Sequence, residues 1–340
     1  MKRDRHLKVM STLFALLLFV GFFAAARADD RGFPVPSGPY LGQKPPGTTL
    51  EIFASGFIST GLNEAGIAFM PDGRECYWTV MFSGFETLLT SRLENGSWTE
   101  PEVAPFSGQF YDGWPAIQPN GQRMFFHSSR PNAGTPATFN IWYVDRAGNG
   151  WSEPQSIGMP VNGSENSTCP SVTRDGTIYI SKRFADGSER ICRSRPVNGK
   201  YGELEVLPAV INTTNENFHA YIAPDESYLV RPVHGRADAI GGGWNYYVSF
   251  RSPDDRWSEW LNLGAGVNSD RCTGIPSMSA DGKYMFLQFW TPPKQILALE
   301  RKHSLQELVG KENRYPSSYS TDIYWISTKV IEELKPKELK

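Results

Sequence analysis

Cysteine and histidine are scarce, with four and five residues in a chain of 340. Cys76, Cys169, Cys192 and Cys272 are separated by 93, 23 and 80 positions, so no CxxC or knuckle spacing points to zinc. In an oxidising compartment three pairings are open, and the expectation is buried or incidentally paired thiols, not a redox site. An excess of one charge is missing too. Lys plus Arg number 34 against 36 Asp plus Glu, a balance that argues against a generic nucleic-acid binder. Walker loop, GxSxG elbow and D-x-D-x-D-G calcium loop are all absent, and the glycines at 241–243 have no helix after them. No cofactor and no bound metal are expected. Beyond residue 28 no apolar run is long enough to span a bilayer.

What is present is glycine (32), proline (25) and aromatic residues (10 Trp, 14 Tyr, 20 Phe). That mixture favours many short strands joined by tight turns, and the 40% hydrophobic content excludes a disordered chain. The N-terminus reads differently. Lys2, Arg3, Arg5 and Lys8 precede an apolar stretch from Val9 to Ala26, and Ala26-Arg27-Ala28 is a small-x-small cleavage site. Residues 1–28 are expected to be a signal peptide, with an uncleaved anchor as the rival. Cleavage removes five Lys/Arg and one Asp, leaving 29 positive and 35 negative groups, net −6. A periplasmic or secreted monomer with no stable membrane insertion is expected.

The rest of the chain repeats. Asp72-Gly73, Asn120-Gly121, Asp175-Gly176, Asp225-Glu226 and Asp281-Gly282 recur at gaps of 48, 55, 50 and 56 residues. Each is followed by a β-rich run, then a third run such as "NIWYVDR" or "NYYVSFR". Four of the third runs lead into a polar turn and an aromatic: Trp98, Trp151, Tyr201 or Trp257. A fourth run commonly ends in Val161-Asn162, Ile211-Asn212 or Val267-Asn268. Four antiparallel strands about every fifty residues describe propeller blades.

The fold class expected is all-β, a five-bladed β-propeller of four-stranded antiparallel blades at about 63–110, 111–163, 164–213, 214–268 and 269–328. The fifth repeat lacks a fourth strand, and residues 49–59 supply it, closing the ring. Residues 29–46 read as a linker, 47–336 as one domain and 337–340 as a tail. A short helix is expected in the 291–319 insertion and another over Lys329 to Leu334.

The strings "PAIQPNGQRMFFHSSRP…NIWYVDR", "PSVTRDGTIYISKRFADGSERICRSR" and "DIYWISTKVIEELKP" resemble the TolB-like, WD-like β-propeller repeats of exported bacterial proteins. The resemblance covers residues 45–336, apart from Asp225-Glu226 standing where the repeat has Asp-Gly. It implies a propeller and an envelope setting, in a family of binding and scaffold proteins, and it names no activity.

In such a ring the Asp-Gly and Asn-Gly turns share one face, and the long connections the other, which is the expected functional face. An acid precedes each first strand: Glu64, Asp112, Glu165, Glu216 and Asp270. Arg130, Arg183 and Arg231 end second strands on the same face, near Trp114, His127, His219 and His234. Three readings stand open. The acids are ordinary loop charges paired with the arginines. Alternatively, Glu64, Asp112, Trp114, Arg130, Glu165, Arg183, His219, Arg231 and Asp270 bind a small polar molecule, a glycan or a protein. In the third, two of Asp112, Glu216 and Glu64 act as acid and base in a carbohydrate hydrolase. A non-catalytic envelope scaffold remains the plainest alternative.

Overall fold

The computed structural model describes residues 27–28, 34–82, 85–132, 139–213, 217, 219–290 and 320–337, with 27–28 and 34 described by main chain alone. Blade one consists of Asn63–Phe69, Glu75–Phe82, Phe85–Glu94 and Glu102–Val103. Blade two consists of Asp112–Ile117, Arg123–Ser128, Asn140–Ala147 and Gln155–Ser156. Blade three consists of Ser167–Val172, Ile178–Arg183, Glu189–Ser194 and Glu205–Val206. Blade four consists of Tyr221–Ile222, Tyr228–His234, Trp244–Phe250 and Leu261–Asn262. Blade five has Cys272–Met278, Tyr284–Trp290 and Thr321–Ser327, and takes its outer strand, Glu51–Ile52, from the N-terminal side. There Ile52 lies opposite Tyr324 and Glu51 opposite Trp325. The innermost strand of each blade touches those on either side, blade five against blade one included, so the ring is closed.

Local chemistry explains the regularity. In each turn after a first strand, the side chain of Asp72, Asn120, Asp175, Asp225 or Asp281 accepts the backbone N–H two residues on, at 2.9–3.1 Å. The residue following that Asp or Asn has positive φ, which suits Gly73, Gly121, Gly176 and Gly282. Blade four puts Glu226 there at φ +59°. Its carboxylate compensates by accepting Tyr179 Oη and Arg251 Nη1, each at 2.6 Å.

The asparagines that end fourth segments have a shared job. Asn162, Asn212 and Asn268 each accept the N–H of a third-strand residue and donate to the C=O of that same residue. The partners are Ile141, Ile191 and Tyr246. The side-chain amide continues the ladder where the fourth strand has ended. In blade five Ser59 makes the same two bonds to Ile323, and in blade one the Leu88 N–H is met by Ser107.

Hydrophobic clusters fill the seams between blades. Trp98 and Trp257 are buried in them, and Trp151 and Tyr201 pack at their edges. A helix at Lys329–Leu334 seats Ile331 on the cluster between blades four and five. All four cysteines are buried free thiols. Residues 1–26 of the expected signal peptide (1–28), and the 291–319 insertion with its expected helix, lie outside the described residues.

Candidate functional site

Each innermost strand, or the residues leading into it, carries one left-handed residue at an equivalent point: Gly66, Trp114, Cys169, His219 and Gly274. In blades one, two, three and five the strand pairing shifts register there. A bulge of this kind re-aims a side chain, here toward the ring axis. Non-glycine residues in this region cost roughly 1–2 kcal/mol each, so Trp114, Cys169 and His219 store strain at the channel.

Trp114 fills the axis. It packs with Ala65, Cys169 and Ile275, and its ring centre is 5.4 Å from His219 and 6.1 Å from His127. Gly66 makes room for it, since a Cβ there would stand 2.9 Å from Trp114 Cε3. On the tight-turn side of Trp114 lies a cavity of about 110 Å³, lined by Ile67, Ala116, Val172, Pro224, Pro276 and Ser277 among others.

The long-loop mouth has different chemistry. His127 Nε2 and Glu86 Oε2 are 3.0 Å apart, and the ring of Phe139 lies 4.8 Å from that of His127. Tyr111 stands 5.3 Å from Phe85 and 6.2 Å from Phe139, and Phe82 packs on Phe85 at 6.0 Å. Phe82 and Tyr111 remain 46% and 40% exposed. Burial pushes the Cys169 thiol up to about 12, and the charges of Glu189 and Glu86 push the same way. A thiol so placed is inert. His219 is held at about 3 by burial, with His127 and Arg231 pushing the same way, so its imidazole is neutral at neutral pH.

The four described acids among those named from the sequence sit in different settings. Glu64 is fully buried, accepts the Thr60 hydroxyl, and is pushed up to about 8, chiefly by burial. Asp112 is buried in an ion pair with Arg130, and Ser107 Oγ donates to it at 2.8 Å. Arg130 is used up in blade two, donating also to Ser128 Oγ and the Phe106 carbonyl. Glu165 is half-buried, and its backbone carbonyl accepts Lys182 Nζ at 3.1 Å. Asp270 and Arg183 are exposed. Glu216 lies outside the described residues. Trp114 and His219 do come together, whereas His234 is apart, against Trp244 at 5.2 Å. Arg231 is buried, with Nε, Nη1 and Nη2 all lacking a hydrogen-bond partner among the described residues.

The reason is geometric. Glu64 and Asp112 stand two positions before the left-handed residue, where Ser167, Asn217 and Cys272 are buried as well. Glu165 and Asp270 stand two positions farther out along the chain. Glu86, which does reach the mouth beside His127, lies next to the head of a third strand, and Glu189 heads another. Their matching positions after the two-to-three connection were the available signal. Among the described residues no three His, Cys, Asp or Glu side chains gather as a metal site.

No family model matches this chain, and no curated protein does. Solved structures similar to it include TolB from Acinetobacter baumannii, at 16% identity and TM-score 0.45 over 67% of this chain. The chain spans about half of that protein, 49% of its length. A GH62 hydrolase in complex with xylotriose is similar at 11% identity and TM-score 0.47, over 82% of this chain and 97% of the other. A puromycin-hydrolyzing peptidase from Mycobacterium tuberculosis is similar at 13% identity and TM-score 0.39, over 71% and 36%. Likenesses at these scores say nothing of activity, and the five-bladed ring stands on its own strand pairing.

Proposed function

We propose that this propeller is an exported, non-catalytic binding module that takes a polar ligand with a stackable face, a sugar ring being the leading case, at its long-loop mouth. The observation that carries the reading is the group of Phe82, Phe85, Tyr111 and Phe139 around the His127–Glu86 pair, with Trp114 behind it. Exposed rings beside a hydrogen-bonding pair are what a sugar needs, since its C–H face stacks while its hydroxyls bond to polar groups. Cleavage after Ala28 and a periplasmic or secreted setting belong to the same proposal.

Hydrolysis by rim carboxylates has less in its favour. Glu64 is closed off, Asp112 is tied to Arg130, and neither reaches an open pocket with a second acid. The test is an oligosaccharide panel followed by calorimetry and by product analysis. Binding without turnover is expected. Tyr111→Ala and Glu86→Gln should each weaken it roughly tenfold, and Lys200→Ala on the tight-turn face should not. Turnover of any sugar would overturn the non-catalytic reading, and silence across the panel would leave a protein partner for this face.

A further inference from the structure

Arg231 occupies a position that its repeat equivalents fill with apolar side chains. It stands opposite Tyr247 in the blade-four ladder, between Leu229 and Val233, which face the seam with blade three. Its guanidinium carbon lies 5.3 Å from the ring centre of Trp260, a buried member of that seam. The residue is 1% exposed, and among the described residues none of its three nitrogens has a hydrogen-bond partner.

An ionised group without water or counter-ion is among the most costly features a core can hold. The surroundings sharpen the anomaly. A second cation, Arg236, acts on Arg231 and lies 5.0 Å from the Tyr247 ring. Asp238, the acid of the same loop, is already taken by Arg236 Nε and by the Tyr247 hydroxyl, both at 3.1 Å. Buried Arg130, by contrast, has Asp112, Ser128 and a carbonyl around it, and buried Arg193 has Glu205 and Asp255. Among the described residues no group accepts from the Arg231 fork.

We infer that Arg231 is the anchor of an anion site in the seam between blades three and four, accepting a carboxylate or phosphate group. The planar fork offers two parallel N–H donors, which match two oxygens of such a group. Trp260 closes one face, and Arg236 adds positive potential. This site does not depend on the sugar reading of the mouth.

The test is thermal melting of the full protein in acetate, inorganic phosphate and chloride at matched ionic strength, with dissociation constants from calorimetry. Acetate or phosphate should raise Tm saturably over chloride, and the two arms distinguish a carboxylate from a phosphate ligand. Arg231→Met should melt higher than the wild type in chloride, because an apolar side chain replaces an unpaired charge. It should also bind the anion about 10- to 100-fold more weakly. Arg231→Lys keeps the charge without the fork, and should retain a weaker response if Arg231→Met fails to fold. The inference falls if neither anion shifts Tm, or if the response survives in Arg231→Met. It falls equally if Glu216→Gln gains an anion response that the wild type lacks, because the counter-ion is then the chain's own carboxylate.

Discussion

Replacing Glu64 by glutamine removes one titrating group from the seam where blade five meets blade one. Glu64 is fully buried, its Oε1 is held by the Thr60 hydroxyl, and its Oε2 has no hydrogen-bond partner among the described residues. Burial lifts its pKa from 4.5 to about 8, against the downward pull of Thr60 and with an added push from Asp322. The folded protein therefore keeps this proton up to about pH 8, whereas the unfolded chain gives it up near 4.5. Between those values the folded state binds more protons. Stability from this group is complete below the lower value and declines as pH rises through the interval, levelling above about 8.

Each pH unit in that window is worth about 1.4 kcal/mol, so the whole interval has a ceiling of about 5 kcal/mol. Relaxation around the ionised carboxylate brings the expected loss to roughly half of that. Glutamine is neutral and close in shape, keeps an oxygen for Thr60, and does not titrate. Urea unfolding of both proteins from about pH 5 to about pH 9 gives the difference in stability, in which every other titrating group cancels. Wild type minus Glu64→Gln should fall by about 2–3 kcal/mol across that range. A difference that stays constant with pH would refute the assignment of a protonated Glu64 at neutral pH.

The same reasoning runs the other way for His219. Its depressed pKa of about 3 means that the unfolded chain alone takes up a proton below about 6.5, so stability is complete above that pH and falls in acid. Acid melts of His219→Asn, which tolerates positive φ, should show a shallower loss than the wild type. The asparagine brackets give a graded test. Asn162→Ala and Asn268→Ala each strand a buried N–H, while the C=O of the same residue keeps a backbone donor, and should cost about 2 kcal/mol; half-buried Asn212 should cost less because water reaches its partners. Equal urea midpoints for the three variants would contradict the ladder-ending role. At the blade-four turn, Glu226→Gly and Glu226→Ala both lose Tyr179 and Arg251, but only glycine relieves the left-handed strain. The glycine variant should be more stable by about 1 kcal/mol in parallel denaturation.

The elements that the sequence made legible are those whose cause is local. Asp72, Asn120, Asp175, Asp225 and Asp281 announce turns because each side chain bonds its own neighbourhood, two residues on. Ring closure was legible for a related reason: a repeat short of one strand and an orphan strand at the other end leave one arrangement that hides both edges. Trp98 and Trp257 could be assigned to the seams because they recur in register with the turns. The direction of a side chain at the channel has no such signature. It depends on bulges whose left-handed residue is a glycine in two blades and Trp114, Cys169 or His219 in the others.

Arg130 and Arg231 make the point most sharply, since both end or interrupt a second strand beside a loop acid and read alike along the chain. Arg130 meets Asp112 because that acid stands opposite Ser128 in the ladder, two residues from the arginine itself. Arg231 sits four rows deeper, at the row that Phe126 fills in blade two, opposite Tyr247, with its side chain in the seam and Asp238 already committed to Arg236. Beyond the strand end Arg130 turns back to an acid of its own blade, whereas inside the strand the pleat commits Arg231 to the seam. Sequence repeats with drifting offsets blur that row, and with it whether a charge is matched inside its blade or left to recruit an anion from outside.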